Sequence, residues 1–249
     1  MSRAPIACTV QDGVALVHMQ DAAGRNALSP AMVRGLEHAL REAGARTDAR
    51  AVVLAGLPEH FSTGASPEVL AGLAGGELAP DDLLLPRVLL DVPVPLVAAM
   101  EGHAIGGGLA LALCADVILG ARESRYGCNF MEYGFTPGMG TTSLLEHVLG
   151  PTLAHEMLFT GALLKGSSFE GRGFNYVLPR ERVLAKALDL AARIAEKPPG
   201  ALRALKAALG ARKRAIFEAA RTTEVLMHRL TLPDPEVRRR LAEATAALR

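Results

Sequence analysis

Apolar residues recur along this chain in two rhythms, and the change from one to the other marks out the elements. The stretch IACTVQDGVALVHMQ, residues 6–20, is rich in β-branched positions on both sides of Asp12-Gly13, a dipeptide that favours a tight hairpin turn. Two antiparallel strands are predicted there. Ser29-Pro30 is a helix start, after which Met32, Leu36, Ala39, Leu40 and Ala43 fall on one stripe at helical spacing. Three short continuous apolar runs follow, ARAVVLAG, VPLVAAMEG and ADVILGA, of the length and composition expected of strands buried on both faces. They alternate with helical segments, so the predicted class is α/β with a largely parallel sheet.

Beyond about residue 140 the pattern turns to one helix after another. TTSLLEHVLG and PTLAHEMLFTG each end in glycine, and ERVLAKALDLAARIAEK stops at Pro198-Pro199. A long helical pattern from Gly200 to Leu232 and a last one after Pro235 complete the chain. The expected organisation is an α/β core over residues 1–195 and a C-terminal helical region over 196–249. Residues 72–86, GLAGGELAPDDLLLP, are the most linker-like passage and read as a mobile loop.

Composition narrows the function classes. The 249 residues are 50% hydrophobic, enough for a sizeable core, and 27 basic side chains against 26 acidic ones leave no basic field for nucleic acid. Cys8, Cys114 and Cys128 form no CxxC pair, and the first residues lack the apolar run of a signal peptide, which reads as three reduced thiols in a cytoplasmic protein. Asp91, Glu101, His103 and Asp116 interrupt the best apolar region before it reaches the ~18 residues of a membrane span. No metal site is expected.

Candidate chemistry begins at Gly106, Gly107 and Gly108 in EGHAIGGGLALALCADVIL, where three residues without side chains open a helix after a buried strand. Unobstructed N–H groups at a helix N-terminus hold negative charge. The spacing is not that of a dinucleotide-binding turn, and no Lys-Ser/Thr pair follows as in a phosphate loop. By itself the run also fits close helix packing. Its companion is EHFSTGAS, residues 59–66, which follows the strand AVVLAG and passes through Gly64 into a helical segment. Two such turns could each aim one backbone N–H at the same oxygen atom, an oxyanion hole built without side chains.

With these two turns, the sequence resembles the crotonase superfamily, the enoyl-CoA hydratase and isomerase fold. FSTGAS is similar to the first oxyanion turn of that family and VPLVAAMEGHAIGGGLALALCADVILGARES to the second, while YGFTPGMGTT and LGPTLAHEMLFTG continue in register. The resemblance covers essentially the whole chain. It implies a spiral of ββα units with C-terminal helices that assemble a homotrimer or a dimer of trimers. It implies also a thioester whose carbonyl oxygen is bound by the N–H groups of Ala65 and Gly107, with Gly64 and Gly108 beside them. GRNALS, which includes Ala27, resembles the strand end that holds the pantetheine side of the substrate.

The departures from the family are as informative as the matches. Resembling hydratases carry one glutamate two residues after the glycine run and another four residues after the aromatic-Gly pair, and here those positions are Ala110 and Phe130. Neither side chain can transfer a proton, which argues against hydration. Glu132 stands two residues from the second position and is expected to point elsewhere. An oxyanion hole in an apolar pocket without a carboxylate suits loss of CO2, because decarboxylation makes the enolate directly and desolvation raises the energy of the starting carboxylate.

Within the superfamily the resemblance is to the decarboxylases of polyketide β-branching cassettes, carried by ESRYGCNFMEYGFTPGMG, AEKP and MHRLTL. It implies conversion of 3-methylglutaconyl to 3-methylcrotonyl on an acyl carrier protein, with no cofactor beyond the phosphopantetheine that carries the substrate. The catalytic histidine of that group matches His228, as the acid for the dienolate or a partner of the departing carboxylate. Some members carry a tyrosine and a lysine four and eight residues past the oxyanion alanine, where this chain has Val69 and Leu73.

Of the remaining polar residues, Asn129 is the candidate to touch substrate with Phe130, His103 reads as a strut for the glycine turn and Tyr126 as core. The run Arg238 to Arg240 reads as a solvated helix face that could also meet an acidic carrier. The alternatives are a glutamate-free crotonase acting on an acyl-CoA, as isomerase or hydrolase, and a non-catalytic member that binds acyl thioesters.

Overall fold

A computed structural model describes residues 4–78 and 85–247. The hairpin forms as the pattern predicts: β1 (Ile6–Gln11) pairs antiparallel with β2 (Val14–Met19), and Asp12 and Gly13 both adopt positive φ, 50° and 82°. Helix α1 (Pro30–Ala45) follows, its Ser29 side chain accepting from Met32 N, with all five stripe residues buried. The three apolar runs are β3 (Ala51–Ala55), β5 (Leu96–Met100) and β7 (Val117–Ala121), which pair in parallel with one another, β3 also pairing with β2.

Each of these strands continues, after a turn, into a short strand of a second sheet: β4 (His60–Ser62), β6 (His103–Ile105) and β8 (Arg125–Gly127). The strand orders are β1-β2-β3-β5-β7-β10 in the larger sheet and β4-β6-β8-β9 in the smaller. Helix α2 (Pro67–Gly75) follows β4 and α4 (Gly107–Leu113) follows β6, so the chain winds through successive ββα units, the spiral that the resemblance implies. Helix α3 (Leu85–Leu90) lies between the first two units.

Larger-sheet strands bury both faces. In β3, Ala51, Val53 and Ala55 face α7 (Arg180–Ala195), whose Val183, Ala187, Ala191 and Ala195 form a narrow stripe that lets the helix settle closely on the sheet, while Val52 and Leu54 join the main core with α1 and α4. Continuous apolar runs are what two covered faces require.

Two expectations are corrected. The region after residue 140 is not purely helical: between α6 (Pro151–Thr160) and α7 the chain adds β9 (Leu164–Lys165) to the smaller sheet and β10 (Tyr176–Leu178) to the edge of the larger, strands too short to show a period. The linker reading of 72–86 is also only partly right. α2 runs through Gly75 to a left-handed cap at Gly76, with Leu73 buried, and α3 starts at Leu85; residues 79–84 lie outside the described residues. α5 (Thr141–Leu149) and α6 end at Gly150 and Gly161 as predicted.

Segment 196–249 is taken up by α8 (Pro199–Thr231) and α9 (Pro235–Ala247). At 33 residues α8 is about 50 Å long. Its buried stripe runs Leu202, Lys206, Gly210, Phe217, Ala220, Glu224, His228, with Phe217 inside the main core. Near its start Lys206 Nζ reaches Asp116 Oδ2 at 2.6 Å and Lys213 Nζ donates to Ala115 O at 2.7 Å, which ties α8 to the end of α4. α9 folds back on α2, with Val237 and Leu241 buried against Leu70 and Phe135.

Candidate active site

The three parallel strands of the smaller sheet end side by side, and the residues just beyond them build one cavity: Gly64 and Ala65 after β4, Gly106 and Gly107 after β6, Asn129 and Phe130 after β8. Ligands of parallel sheets gather at this edge because the chain there turns from strand to helix with its N–H groups exposed. The cavity encloses about 420 Å3.

Gly64 and Gly106 have φ of 82° and 54°, which turns the backbone sharply into α2 and α4. The first turn is hydrogen-bonded to the loop after β2, Leu28 N donating to Gly64 O at 2.7 Å. Ala65 comes just before the Ser66 cap of α2, and Gly107 is the first residue of α4, so neither N–H has an acceptor within its own helix. Among the described residues neither is taken up by another hydrogen bond, and both residues line the cavity. Two unclaimed donors on adjoining turns are what a developing oxyanion requires.

Ala27, Gly64, Asn129, Phe130 and His228 line this same cavity, so the fold brings together all but one of the residues the sequence singles out. The exception is Gly108. A Cβ there would stand 2.4 Å from Ser62 O, so this glycine is needed for α4 to lie against β4, and it does not line the cavity. The glycine run therefore divides its work between a turn, a donor and a packing contact.

Among the described residues no glutamate takes the place of the missing acids. Ala110 is fully buried inside α4, and Phe130 presents its ring to the cavity, edge-on to Phe135 at 5.7 Å. Glu132 is directed away, its Cγ 2.9 Å from where a Cβ of Gly161 would be, and it does not line the cavity. Among the described lining residues the only carboxylate is Asp21, whose Oδ1 accepts from Gly24 N at 3.0 Å in the loop after β2. Val69, Leu70, Leu73 and Leu232 add apolar side chains to the cavity wall.

His228 is 4% exposed on the last turn of α8. Its Nε2 lies 2.8 Å from the carbonyl oxygen of Thr136, which can only accept, so Nε2 carries a proton. Asn129 Nδ2 meets the Tyr133 hydroxyl at 3.5 Å, a polar pair in an otherwise apolar wall. At the opposite ends of β4 and β6, His60 and His103 form an edge-on pair with ring centroids 5.8 Å apart. Burial lowers both pKa values, with Arg25 adding to the effect at His60, and His60 with Arg180 at His103. His103 Nδ1 accepts from Arg125 N at 2.9 Å, so it braces the start of β6 against β8 and not the glycine turn for which it was expected to be a strut.

Tyr126 is core: its hydroxyl donates to Met100 O at 2.8 Å and accepts from Ala121 N at 2.6 Å. Burial pushes its pKa up, as it pushes the Cys114 thiol up to about 12. Arg239 and Arg240 are held by Glu236 at 2.7 and 2.9 Å, a solvated helix face with its own counter-charge.

Two residues of the site escape sequence reasoning. Asn26 is fully buried; its Nδ2 faces Met19 O, His60 O and Phe61 O at 3.1 Å each, and its Oδ1 accepts from Asp21 N at 2.9 Å, which fixes the loop 21–27 against β4. It sits in GRNALS, which is a loop with Arg25 and Asn26 at positive φ where a strand end was expected. Glu224 is 2% exposed and accepts from Gly140 N at 2.7 Å, Thr142 N at 2.9 Å and Thr142 Oγ1 at 2.8 Å. The available signal was its position on the stripe of α8, where an acidic residue stands among apolar ones.

The spiral of ββα units with paired oxyanion turns defines an acyl-thioester enzyme fold. The family model for enoyl-CoA hydratase/isomerase matches residues 9–243, and the chain belongs to that family. The bacillaene synthase decarboxylase PksI of Bacillus subtilis is 37% identical over 233 residues, 93% of this chain and 94% of that one. Among solved structures, a chain from a dehydratase/decarboxylase enzyme couple involved in polyketide β-branching superposes with a TM-score of 0.91 at 36% identity, covering 95% and 94%. The ECH2 decarboxylase domain of CurF from Lyngbya majuscula gives 0.90 at 38% identity, covering 97% of this chain and 100% of that one. Among the described residues no group of three or more His, Cys, Asp or Glu is placed to hold a metal ion, and no described helix is long and apolar enough to cross a membrane.

Proposed function

We propose that this chain is the decarboxylase that converts 3-methylglutaconyl to 3-methylcrotonyl on an acyl carrier protein in polyketide β-branching. The observation that carries this is a pair of unclaimed backbone donors, Ala65 N–H and Gly107 N–H, opening on a cavity where, among the described residues, neither Ala110 nor Phe130 is replaced by a carboxylate beside those donors. The thioester oxygen sits on these two donors. The bond between C4 and the carboxyl carbon breaks, its electron pair forms the C3–C4 double bond, and the former C2–C3 π pair moves toward C1 as negative charge collects on the bound oxygen. CO2 leaves. A proton then delivered to C4 from Nδ1 of the His228 imidazolium, whose Nε2–H stays on Thr136 O, gives 3-methylcrotonyl and restores the thioester carbonyl, and solvent reprotonates the ring.

The apolar wall favours the first step, since a carboxylate without water is raised relative to the delocalised dienolate. No cofactor takes part, because the thioester itself is the electron sink. Val69 and Leu73 offer no charge to the departing carboxylate, so among the described residues its recognition falls to His228, Asn129 and Tyr133. The loop 21–27, with Ala27 and Arg25 lining the cavity, receives the pantetheine arm. A homotrimer or dimer of trimers would cover the exposed apolar residues Phe159, Leu205, Leu209, Leu226 and Leu230.

The test is mass spectrometry of the carrier. Wild type should remove 44 Da, the mass of CO2, from carrier-bound 3-methylglutaconyl, and His228→Ala should leave most of it intact, a loss of about 10²- to 10⁴-fold in rate. An unchanged carrier mass with wild type would refute the reading, and a faster reaction of the free CoA thioester would place the substrate on CoA.

A further inference from the structure

Helix α8 meets the segment Thr136–Thr142 along one stripe. Glu224 accepts from Gly140 N, Thr142 N and Thr142 Oγ1 at 2.7 to 2.9 Å, His228 Nε2 donates to Thr136 O at 2.8 Å, and Thr231 Oγ1 pairs with Thr136 Oγ1 at 3.3 Å. Residues 224, 228 and 231 are spaced four and three apart, so they share a face, and the segment is pinned at both ends to it. Between the pins lie Gly138 and Met139. A Cβ on Gly138 would stand 2.8 Å from His228 Cε1, so the ring rests directly on the segment. Met139, held at a φ of 61°, has its sulfur 2.8 Å from where a Cβ of Gly107 would be. One short stretch of chain thus touches the oxyanion turn on one side and the histidine on the other.

The way α5 is capped is informative. α1 and α2 take their caps from their own Ser29 and Ser66, but α5 has Gly140 at that position and no side chain of its own to serve its first N–H groups. The acceptor comes from Glu224, more than 80 residues on, at the expense of burying a carboxylate whose pKa burial raises against the pull of its three donors. A local serine would fix the helix start alone. A carboxylate from α8 fixes it relative to His228, one turn further along the same helix.

We propose that Glu224 is a positioning residue: by pinning Thr136–Thr142 to α8 it sets the distance and tautomer with which His228 faces a substrate held at Ala65 and Gly107. The catalytic part of this inference rests on the decarboxylase reading above, whereas the positioning itself is a property of the unliganded chain. Loosening the pin frees Thr136 O to move, the Nε2–H bond is no longer enforced, and proton delivery suffers while substrate still binds in the unchanged apolar wall.

The experiment uses Glu224→Gln, equal in size but with an amide N–H facing one of three donors, and Phe169→Leu as a control destabilised in the aromatic core beside Tyr126, away from the cavity. Ring ¹⁵N spectra, assigned with His228→Asn, are expected to show the Nε2–H tautomer in wild type and in Phe169→Leu and a mixture in Glu224→Gln. kcat is expected to fall about 10- to 100-fold in Glu224→Gln with KM little changed, and to hold in Phe169→Leu at a temperature where both are folded. A retained single tautomer in Glu224→Gln, or a retained kcat, overturns the proposal and leaves Glu224 a helix cap. A wild type without decarboxylase activity refutes the functional reading instead, and the ring spectra then decide the positioning alone.

Discussion

A Cβ placed on Gly64 would stand 3.3 Å from the nitrogen of Gly107 and 2.7 Å from the carbonyl oxygen of Ile105, so the two glycine turns touch through a backbone that has no room for a side chain. Gly64 also has a φ of 82°, which L side chains rarely adopt. Gly64→Ala should therefore push Ala65 and Gly107 apart. The expected result is a fall in kcat/KM of about 10²- to 10³-fold, the cost of losing one oxyanion donor, measured on the carrier-bound thioester. An alanine variant of undiminished activity would remove the paired turns from the chemistry.

Leu73 is 7% exposed and lines the apolar end of the cavity from α2. A lysine there would face the substrate carboxylate across a medium that screens charge poorly. Leu73→Lys is expected to lower KM for the glutaconyl thioester about tenfold, equivalent to ~1.4 kcal/mol, and to leave inhibition by a crotonyl thioester, which has no carboxylate, unchanged. Equal effects on both would mean that the carboxylate lies elsewhere.

Lys206 and Asp116 anchor the start of α8 at 2.6 Å, with side-chain exposures of 4% and 26%. Asp116 Oδ2 also accepts from Leu96 N at 2.8 Å, so it stays in place when the lysine is removed. Lys206→Met should cost about 3 kcal/mol, the low end for breaking a buried pair, because Asp116 remains partly hydrated. Urea unfolding measures it. A loss under about 1 kcal/mol would show that the methionine packs as well as the pair bonds.

Three histidines make stability depend on pH. Burial lowers the pKa values of His60, His103 and His147 from the ordinary 6.5, reinforced by Arg25 at His60, by the His60 ring and Arg180 at His103, and by Lys213 and Arg212 at His147. The unfolded chain then binds protons that the folded chain refuses, so this contribution is complete above pH 6.5 and is lost as the pH falls below it. The thermal midpoint should drop between pH 7.5 and 5.5, and His147→Asn, away from the cavity, should flatten that slope. A midpoint independent of pH in this range would contradict the burial of these rings.

The sequence alone determined the elements whose signals are local. Asp12-Gly13 closes a hairpin and Ser29-Pro30 starts a helix because turn and cap geometry depend on neighbouring residues only, and the runs around Val53, Ala98 and Ile118 are strands because two covered faces demand unbroken apolar stretches. The glycine turns at Gly64 and Gly107 were legible as a possible pair of backbone donors, and the resemblance to the crotonase superfamily implied that Ala110 and Phe130 stand where hydratases carry acids. The tertiary structure decided what depends on distant segments meeting. β9 and β10 have three residues or fewer and exist only because a sheet edge is present to pair with. Gly108 belongs to the packing of α4 on β4 because Ser62, distant in sequence, lies against it. Asn26 and Glu224 carry no local mark of their roles, since the carbonyls and N–H groups that need them belong to a strand 35 residues away and a turn 84 residues away, brought within hydrogen-bond distance only by the fold.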